Sequence, residues 1–128
     1  MSDHIDMTFK SGDDMSAEQY YLCKIGAADG TVVTCAATTD KPIGIVQNKP
    51  NSATGSAVTV RIFGRSKCNA DAALAVNDVV GPAADGQGAP YVAGTDTTKY
   101  SVGICTRAVS NAGEIAEVLV NPGYAKLS

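Results

Sequence analysis

The sequence has few aromatic and few charged side chains. Of its 128 residues, 5% are aromatic, none is tryptophan and 18% are charged. Both fractions are low for a globular domain, so the core must be built mainly from Val, Ile, Leu and Ala. A thin core of small side chains often gains stability by oligomerisation, because contact between subunits buries apolar surface that one small domain leaves exposed.

Basic clusters and long apolar runs are also missing. The net charge is −3, and without a basic run the chain is not expected to bind nucleic acid or an anionic membrane. No segment approaches the roughly 18 consecutive apolar residues of a membrane span. The first residues, MSDHIDMTFKSGDD, carry acids where a secretory signal carries Lys or Arg. We therefore expect synthesis in the cytoplasm without such a signal.

The residues that catalysis requires are scarce. The single histidine, His4, lies in an N-terminal segment that gives a general base no scaffold. Asp13 and Asp14 stand beside Gly and Ser, as in a solvated linker, and no phosphate-binding glycine loop is present. We therefore predict that the protein is not an enzyme and takes no cofactor or metal.

The four cysteines lack metal-ligand spacing. Cys23, Cys35, Cys68 and Cys105 form no C-x-x-C pair, and with only one histidine the sequence does not predict a zinc site. Cys23 and Cys35 flank a turn, but they are one residue out of register for a hairpin centred on Ala28 and Asp29. Free buried thiols are favoured, and a disulfide across this hairpin is the alternative.

The tetrapeptide AADG occurs twice, at residues 27–30 and 83–86. Each copy is followed by an apolar-Gly-Ile step, at 43–45 and 102–104, and then by a loop glycine, Gly55 or Gly113. The three features are offset by 56, 59 and 58 residues. This near-constant spacing predicts a tandem duplication of one β unit. The alternative is two unrelated hairpins that share favoured turn residues.

The rest of the pattern predicts an all-β fold, a small barrel or sandwich built from two tandem hairpin repeats. We assign residues 20–128 to one β domain, with repeat one at about 20–64 and repeat two at about 76–123. Alternation in AVTVRIF leaves Phe63 on the more polar face without cover, and EIAEVLV alternates in the same way. At most one short helix is expected, at 69–76.

Six residues have predicted structural roles in turns and bends. Asp-Gly pairs form the two hairpin turns, and glycines inside strands indicate a bulge, a bend or a close backbone approach. These residues are Asp29, Gly30, Asp85 and Gly86 in the turns, and Gly44 and Gly103 in the strands.

Residues 1–19 differ from the rest and suggest an extended N-terminal arm. Ile5, Met7 and Phe9 alternate with polar residues, which is the period of a strand, and SGDDMSAEQ then interrupts the pattern. We hypothesise that these three residues order on a partner by adding a strand to its exposed sheet edge. The alternative is a terminus without a role.

The sequence resembles the bacteriophage capsid decoration, or cement, proteins in the order of its elements. That order is a strand, an Asp-Gly turn, a second strand, the SVGIC segment, a loop and an alternating strand. The likeness is carried by SVGICTRAVSNAGEIAEVLVNPG, residues 101–123, with support from ALAVNDVVGPAADGQG upstream. It implies a structural virion protein, a homotrimer that binds the major capsid protein on the outer surface of the assembled head and stabilises the shell.

Two other classes remain open. A host- or glycan-binding head module would use Tyr20, Tyr21, Tyr91 and Tyr100 as stacking platforms. A lipoyl- or biotinyl-type carrier domain would use Lys41 at its turn, although Pro42 and the lack of flanking Met residues depart from the carrier pattern.

Overall fold

The computed structural model describes residues 4–92 and 94–122, and the fold is all-β, as the sequence predicts. Nine strands were found: β1 (Ile5–Ser11), β2 (Leu22–Ile25), β3 (Thr31–Thr34), β4 (Gly44–Val46), β5 (Ala57–Asn69), β6 (Val79–Pro82), β7 (Gly88–Tyr91), β8 (Gly103–Arg107) and β9 (Ile115–Val120). Within the described ranges no helix long and apolar enough to cross a membrane is found.

The helix considered at 69–76 does not form. Asn69 ends β5, Ala70 makes a bridge to Gly88, and Leu74 makes a bridge to Val109. Both bridging side chains are buried. A segment this short gains little from helix formation alone, so its contacts with distant strands decide its conformation.

The nine strands form one sheet in the order β1-β3-β2-β4-β5-β9-β8-β6-β7, and β1 also pairs with β5. This extra pairing closes the first five strands of that order into a ring. The thirteen-residue strand β5 belongs to both halves of the molecule, because its first part pairs with β1 and β4 and its last part with β9. Gly64, at a φ of 103°, stands between the two parts.

The strand pairing repeats, in agreement with the predicted duplication. β2 pairs with β3 and β4, and β4 pairs with β5; likewise β6 pairs with β7 and β8, and β8 pairs with β9. The registers also correspond, since Cys23 lies opposite Gly44 and Val80 lies opposite Gly103. We call β1 to β4 together with the first part of β5 unit one. The last part of β5 together with β6 to β9 is unit two.

Two non-glycine residues with positive φ mark equivalent points of the units. Tyr20 has a φ of 69° and Asn77 a φ of 80°. The amide of Tyr20 donates to the carbonyl oxygen of Val46 at 2.8 Å, and the amide of Asn77 donates to that of Cys105 at 2.8 Å. The two units therefore share this backbone conformation although the residues at the two positions, tyrosine and asparagine, differ.

The N-terminal strand differs from the expectation of an arm over residues 1–19. β1 pairs antiparallel with β5 and parallel with β3 inside its own unit. The last part of β5 does the same in unit two, pairing antiparallel with β9 while Ala70 bridges Gly88 in parallel. Strand β1 is thus the first strand of unit one, and its inner side chain Phe9 packs against the core. Residues 1–3 of the expected arm lie outside the described residues.

The six predicted turn and bend residues lie in the turns and close strand contacts of the two units. Gly30 and Gly86 have φ values of 73° and 88° in the turns that they form with Asp29 and Asp85. Gly44 and Gly103 are points of close backbone approach, because a Cβ there would lie 2.2 Å from the Arg61 carbonyl oxygen and 2.1 Å from that of Leu119.

The first hairpin has the predicted register. Cys23 lies opposite Thr34, one residue short of Cys35, and all four cysteines are free and buried. Burial raises the pKa of the Cys35 and Cys68 thiols to about 12. Both thiols are therefore protonated near neutral pH and behave as small apolar side chains.

The two units share a core. One buried cluster lies inside unit one: Met15, Cys23, Val32, Val46, Val58 and Val60. The other combines Leu22, Cys35 and Ile45 of unit one with residues of unit two: Cys68, Ala70, Leu74, Val80, Val102, Cys105, Ala116, Val118 and Val120. The outer face of β2 and β4 is therefore buried against unit two.

Backbone hydrogen bonds hold this contact in place. The amide of Asn69 donates to the Tyr20 carbonyl oxygen at 2.9 Å, and the amide of Leu22 donates to that of Gly86 at 2.8 Å. The segment 20–22 thus lies between the end of β5 and the second AADG turn, and Leu22 enters the core of unit two.

Candidate partner-binding surface

Two of the three residues that the sequence proposed for partner binding are exposed. Ile5 is 54% and Met7 48% exposed, whereas Phe9 is partly buried against the core. Ile5 lies opposite Phe63, which is 49% exposed. We call Ile5, Met7 and Phe63 the β1 edge patch. Phe63 was not proposed as a binding residue. Its position on the more polar face of its strand, without cover, was the sequence feature that could have identified it.

Within the part of the chain that the structure describes, one side of β1 is open beside this patch. Among the described strands, β1 pairs over Ile5–Phe9 with β5 alone, since β3 reaches only Lys10 and Ser11. The amide of Lys10 points away from β5 and donates to the Gly30 carbonyl oxygen. Backbone groups two and four residues earlier point to the same side of a strand. The N–H and C=O groups of Thr8 and Asp6 therefore face an open edge, which can accept a further strand.

An ion pair holds β1 against β5 on its outer face. Asp6 lies opposite Arg61, whose Nε donates to one carboxylate oxygen at 2.8 Å and whose second nitrogen donates to the other at 3.2 Å. The hydrogen bond from Arg61 lowers the pKa of the Asp6 carboxyl. His4 Nε2 lies 3.7 Å from the same carboxylate. This two-point contact fixes the edge strand in register.

A second exposed apolar row crosses unit two. Leu119 on β9 lies opposite Ile104 on β8, and Ile104 lies opposite Val79 on β6. Leu119 is 47% and Ile104 37% exposed, and Val79 is half-buried. We call these three residues the unit-two face. On the outer side of β9 the exposed apolar residues Ile115 and Leu119 flank Glu117, and sequence reasoning did not identify this exposed apolar surface.

The four tyrosines proposed as stacking platforms do not form the exposed platform that the glycan alternative requires. Tyr91 is only 6% exposed, and its hydroxyl lies within hydrogen-bonding distance of the carbonyl oxygens of Thr38 and Pro82. Tyr20, Tyr21 and Tyr100 are half-buried. Lys67 Nζ lies 5.8 Å from the ring centroid of Tyr20. The expected exposure of Tyr91 was therefore wrong, because its ring packs over Gly81.

The described part of the chain was searched for metal-binding clusters and polar clefts. Over residues 4–92 and 94–122, no group of three or more His, Cys, Asp or Glu side chains could hold a metal ion. A shallow cleft of about 240 Å³ lies where the units join, lined by Tyr20, Gln47, Arg61, Arg65, Ser66, Lys67 and Glu117.

Comparison with known proteins finds a similar fold and no similar sequence. No family model matches the chain, and no curated protein matches it. A solved structure, described as the head fiber gp8.5 N base in bacteriophage phi29, is similar with a TM-score of 0.67 at 16% sequence identity. The similarity covers 97% of this chain and 98% of that one. At this identity it shows the shared fold.

Proposed function

We propose that the chain is a structural protein of a bacteriophage head, which binds the outer surface of the assembled capsid and stabilises the shell. The observation that carries the proposal is the full-length fold similarity to the base of a phage head fiber. The resemblance of residues 101–123 to capsid decoration proteins points in the same direction. The proposed partner is the major capsid protein, and the protein would be made in the host cytoplasm and reside on the virion.

The β1 edge patch is the proposed contact with the shell. Ile5, Met7 and Phe63 expose apolar surface beside an open strand edge. An extended segment of a capsid protein would pair with the backbone of Asp6 and Thr8 and rest its apolar side chains on the patch. The sequence suggested that β1 adds to the partner's sheet as a free arm; in the folded protein β1 instead offers its edge to the partner's strand.

The association should strengthen the shell by linking neighbouring capsid subunits. Hydrogen bonds along a strand fix register, and burial of half-exposed apolar side chains adds roughly 25 cal/mol for each Å² removed from water. Because each decoration contact forms only on assembled subunits, binding favours the assembled state by mass action. The net charge of −3 fits a protein that remains outside the shell, away from packaged DNA.

The test is co-sedimentation of the purified protein with undecorated mature heads, followed by electron cryomicroscopy of the pellet. We expect regular density on the outer surface, and at least a tenfold loss of affinity in Ile5→Asp and Met7→Asp. Ile25→Asp is the matched control, because Ile25 is 58% exposed and lies on β2. Absence of the wild-type protein from the pellet would contradict the proposal.

A further variant tests strand addition itself. Thr8→Pro removes the N–H that faces the open edge of β1 and leaves the apolar patch intact. We expect it to weaken shell binding as the Asp variants do, while circular dichroism remains that of the wild type. Unchanged binding would show that the patch acts without strand pairing.

A further inference from the structure

Two clefts share Tyr20 as a wall residue where the two units join. One has a volume of about 240 Å³ and the other of about 370 Å³. We call the two together the junction groove, whose charged and aromatic side chains are Tyr20, Lys49, Arg61, Arg65, Lys67 and Glu117. The chain has 13 acidic and 10 basic residues, yet the described walls of the groove hold four cations and one anion. The groove is therefore a basic site on an acidic protein.

Most of these cations have no carboxylate partner. Arg61 is paired with Asp6 by two hydrogen bonds. Within the part of the chain that the structure describes, Lys49, Arg65 and Lys67 form no ion pair. These three residues come from separate places in a sequence without a basic run, so only the fold gathers them. An anion that enters the groove meets cations whose charge is not already neutralised.

Two of the unpaired cations alternate on one strand face. Arg65 and Lys67 are exposed on β5, and Ser66 between them is buried. Residues two apart on one strand are roughly 6.6 Å apart. Acidic side chains at alternate positions of an extended segment have the same spacing, so each can pair with one cation. This spacing favours an extended acidic segment over a single small anion.

Tyr20 positions one of these cations at the centre of the groove. The ammonium of Lys67 lies 5.8 Å from the Tyr20 ring centroid, a distance at which an aromatic ring attracts a cation. Tyr20 has a φ of 69°, which is uncommon for a bulky residue. Its amide donates to the Val46 carbonyl oxygen, and its own carbonyl oxygen accepts from the Asn69 amide. Such a backbone conformation is retained most often where it places a functional side chain.

We propose that the junction groove binds an extended acidic segment of a partner protein, whose carboxylates at alternate positions pair with Arg65 and Lys67. Glu117 lies opposite Lys67 in the register but forms no ion pair with it in the described structure. Its charge opposes that of the ligand and limits the affinity. The inference does not depend on the proposed function, because Ile5, Met7 and Phe63 of the β1 edge patch do not line the groove.

Fluorescence anisotropy of a labelled peptide tests the inference on the full chain. The probe is a peptide with Glu at alternate positions and Thr between them, and its neutral counterpart has Gln in place of Glu. We expect only the acidic peptide to bind, although the net charge of the protein is −3. Arg65→Gln and Lys67→Gln should each weaken its binding about threefold to fivefold, the upper range for one exposed ion pair. Glu117→Gln should strengthen binding by a similar factor.

The matched control is Lys41→Gln, which removes the same charge from an exposed residue that lines a different cleft. At physiological salt, where distant charges are screened, this variant should keep the wild-type affinity. Circular dichroism verifies the folding of each variant. Equal losses in Lys41→Gln and Lys67→Gln would overturn the inference, because the attraction would then not come from the groove.

An acidic oligosaccharide, oligogalacturonate, is the competing ligand in the same assay. We expect it to displace the peptide only weakly, because its carboxylates do not follow the spacing of an extended strand. Binding of the oligosaccharide without binding of the peptide would overturn the proposed ligand class. Wild-type protein that sediments with heads but does not bind the peptide contradicts this inference alone, and the reverse result contradicts capsid binding alone.

Discussion

At the scale of single residues, two glycines determine how closely adjacent strands approach. Gly44 faces the carbonyl oxygen of Arg61, and Gly103 faces that of Leu119. In both places the nearest atom belongs to the backbone of a paired strand, which cannot rotate away as a side chain can. The units therefore share a steric requirement that only glycine meets.

We expect Gly103→Ala to lower the free energy of unfolding by about 1–3 kcal/mol, the usual cost of forcing an extra methyl group into a packed site. Gly44→Ala should have a similar effect. Chemical denaturation followed by circular dichroism measures both.

The control for these changes is Gly30→Asn. Gly30 has a φ of 73° with open space around its Cα, and asparagine adopts this conformation more readily than most residues. We expect its stability to remain within about 0.5 kcal/mol of the wild type. Equal stability of Gly103→Ala and the wild type would contradict the close approach.

At the scale of elements, β1 depends on the pairing of Asp6 with Arg61. Over Ile5–Phe9 the described strand has β5 as its one neighbour, and the side chains of Ile5 and Met7 are largely exposed. Apolar burial therefore contributes little at this end of the strand. The two hydrogen bonds from Arg61 supply side-chain contact at the same place.

Asp6→Asn should destabilise the protein at neutral pH by about 0.5–1 kcal/mol, the upper range for a partly exposed ion pair. The pKa of Asp6 is lowered in the folded state, first by the hydrogen bond from Arg61. Its contribution is therefore fully present above the unfolded pKa of about 4 and is lost as the pH falls through the lower folded value.

Urea unfolding at a series of pH values measures this effect. The difference between the wild type and Asp6→Asn should shrink as the pH decreases below about 4. Asp29→Asn, at an exposed turn position that accepts either residue, should follow the wild type throughout. A pH-independent difference for Asp6→Asn would show that the lost stability does not come from the carboxylate charge.

At the scale of the whole molecule, the two units are joined by shared parts. Strand β5 supplies edges to both, and Leu22 and Ile45 of unit one complete the core of unit two. Loss of either unit would expose apolar side chains of the other. We therefore expect the chain to unfold in a single cooperative transition.

Leu22→Ala tests this coupling. Leu22 is fully buried in the shared cluster, so the change should cost about 2–5 kcal/mol and keep one transition by both circular dichroism and tyrosine fluorescence. Val79→Ala is the matched control, because Val79 is the equivalent residue of unit two and is half-buried. A second transition in the wild type, or an equal loss of stability in both variants, would contradict the shared core.

Several features were predictable because they depend on local pattern. The Asp-Gly turns, the glycines inside strands and the alternation of apolar residues predicted the all-β fold, the duplication and the register of the first hairpin. The short helix that the sequence allowed at 69–76 does not form, because Ala70 and Leu74 bridge to distant strands. The N-terminal strand was recognised by its period, but its partners β3 and β5 lie far along the chain and leave no local signal.

By itself the sequence determined the strand periods, the turns and the repeat, since each arises from neighbouring residues and their backbone preferences. The tertiary structure alone decided which apolar residues are covered. Leu22 with Ile45 and Val79 with Ile104 have equivalent positions in their units, yet the first pair is buried and the second is not. The difference arises because unit two packs on the outer face of β2 and β4, whereas no described element packs in the same way on the equivalent face of unit two. Burial of equivalent residues thus depends on contacts between units, which no local pattern records.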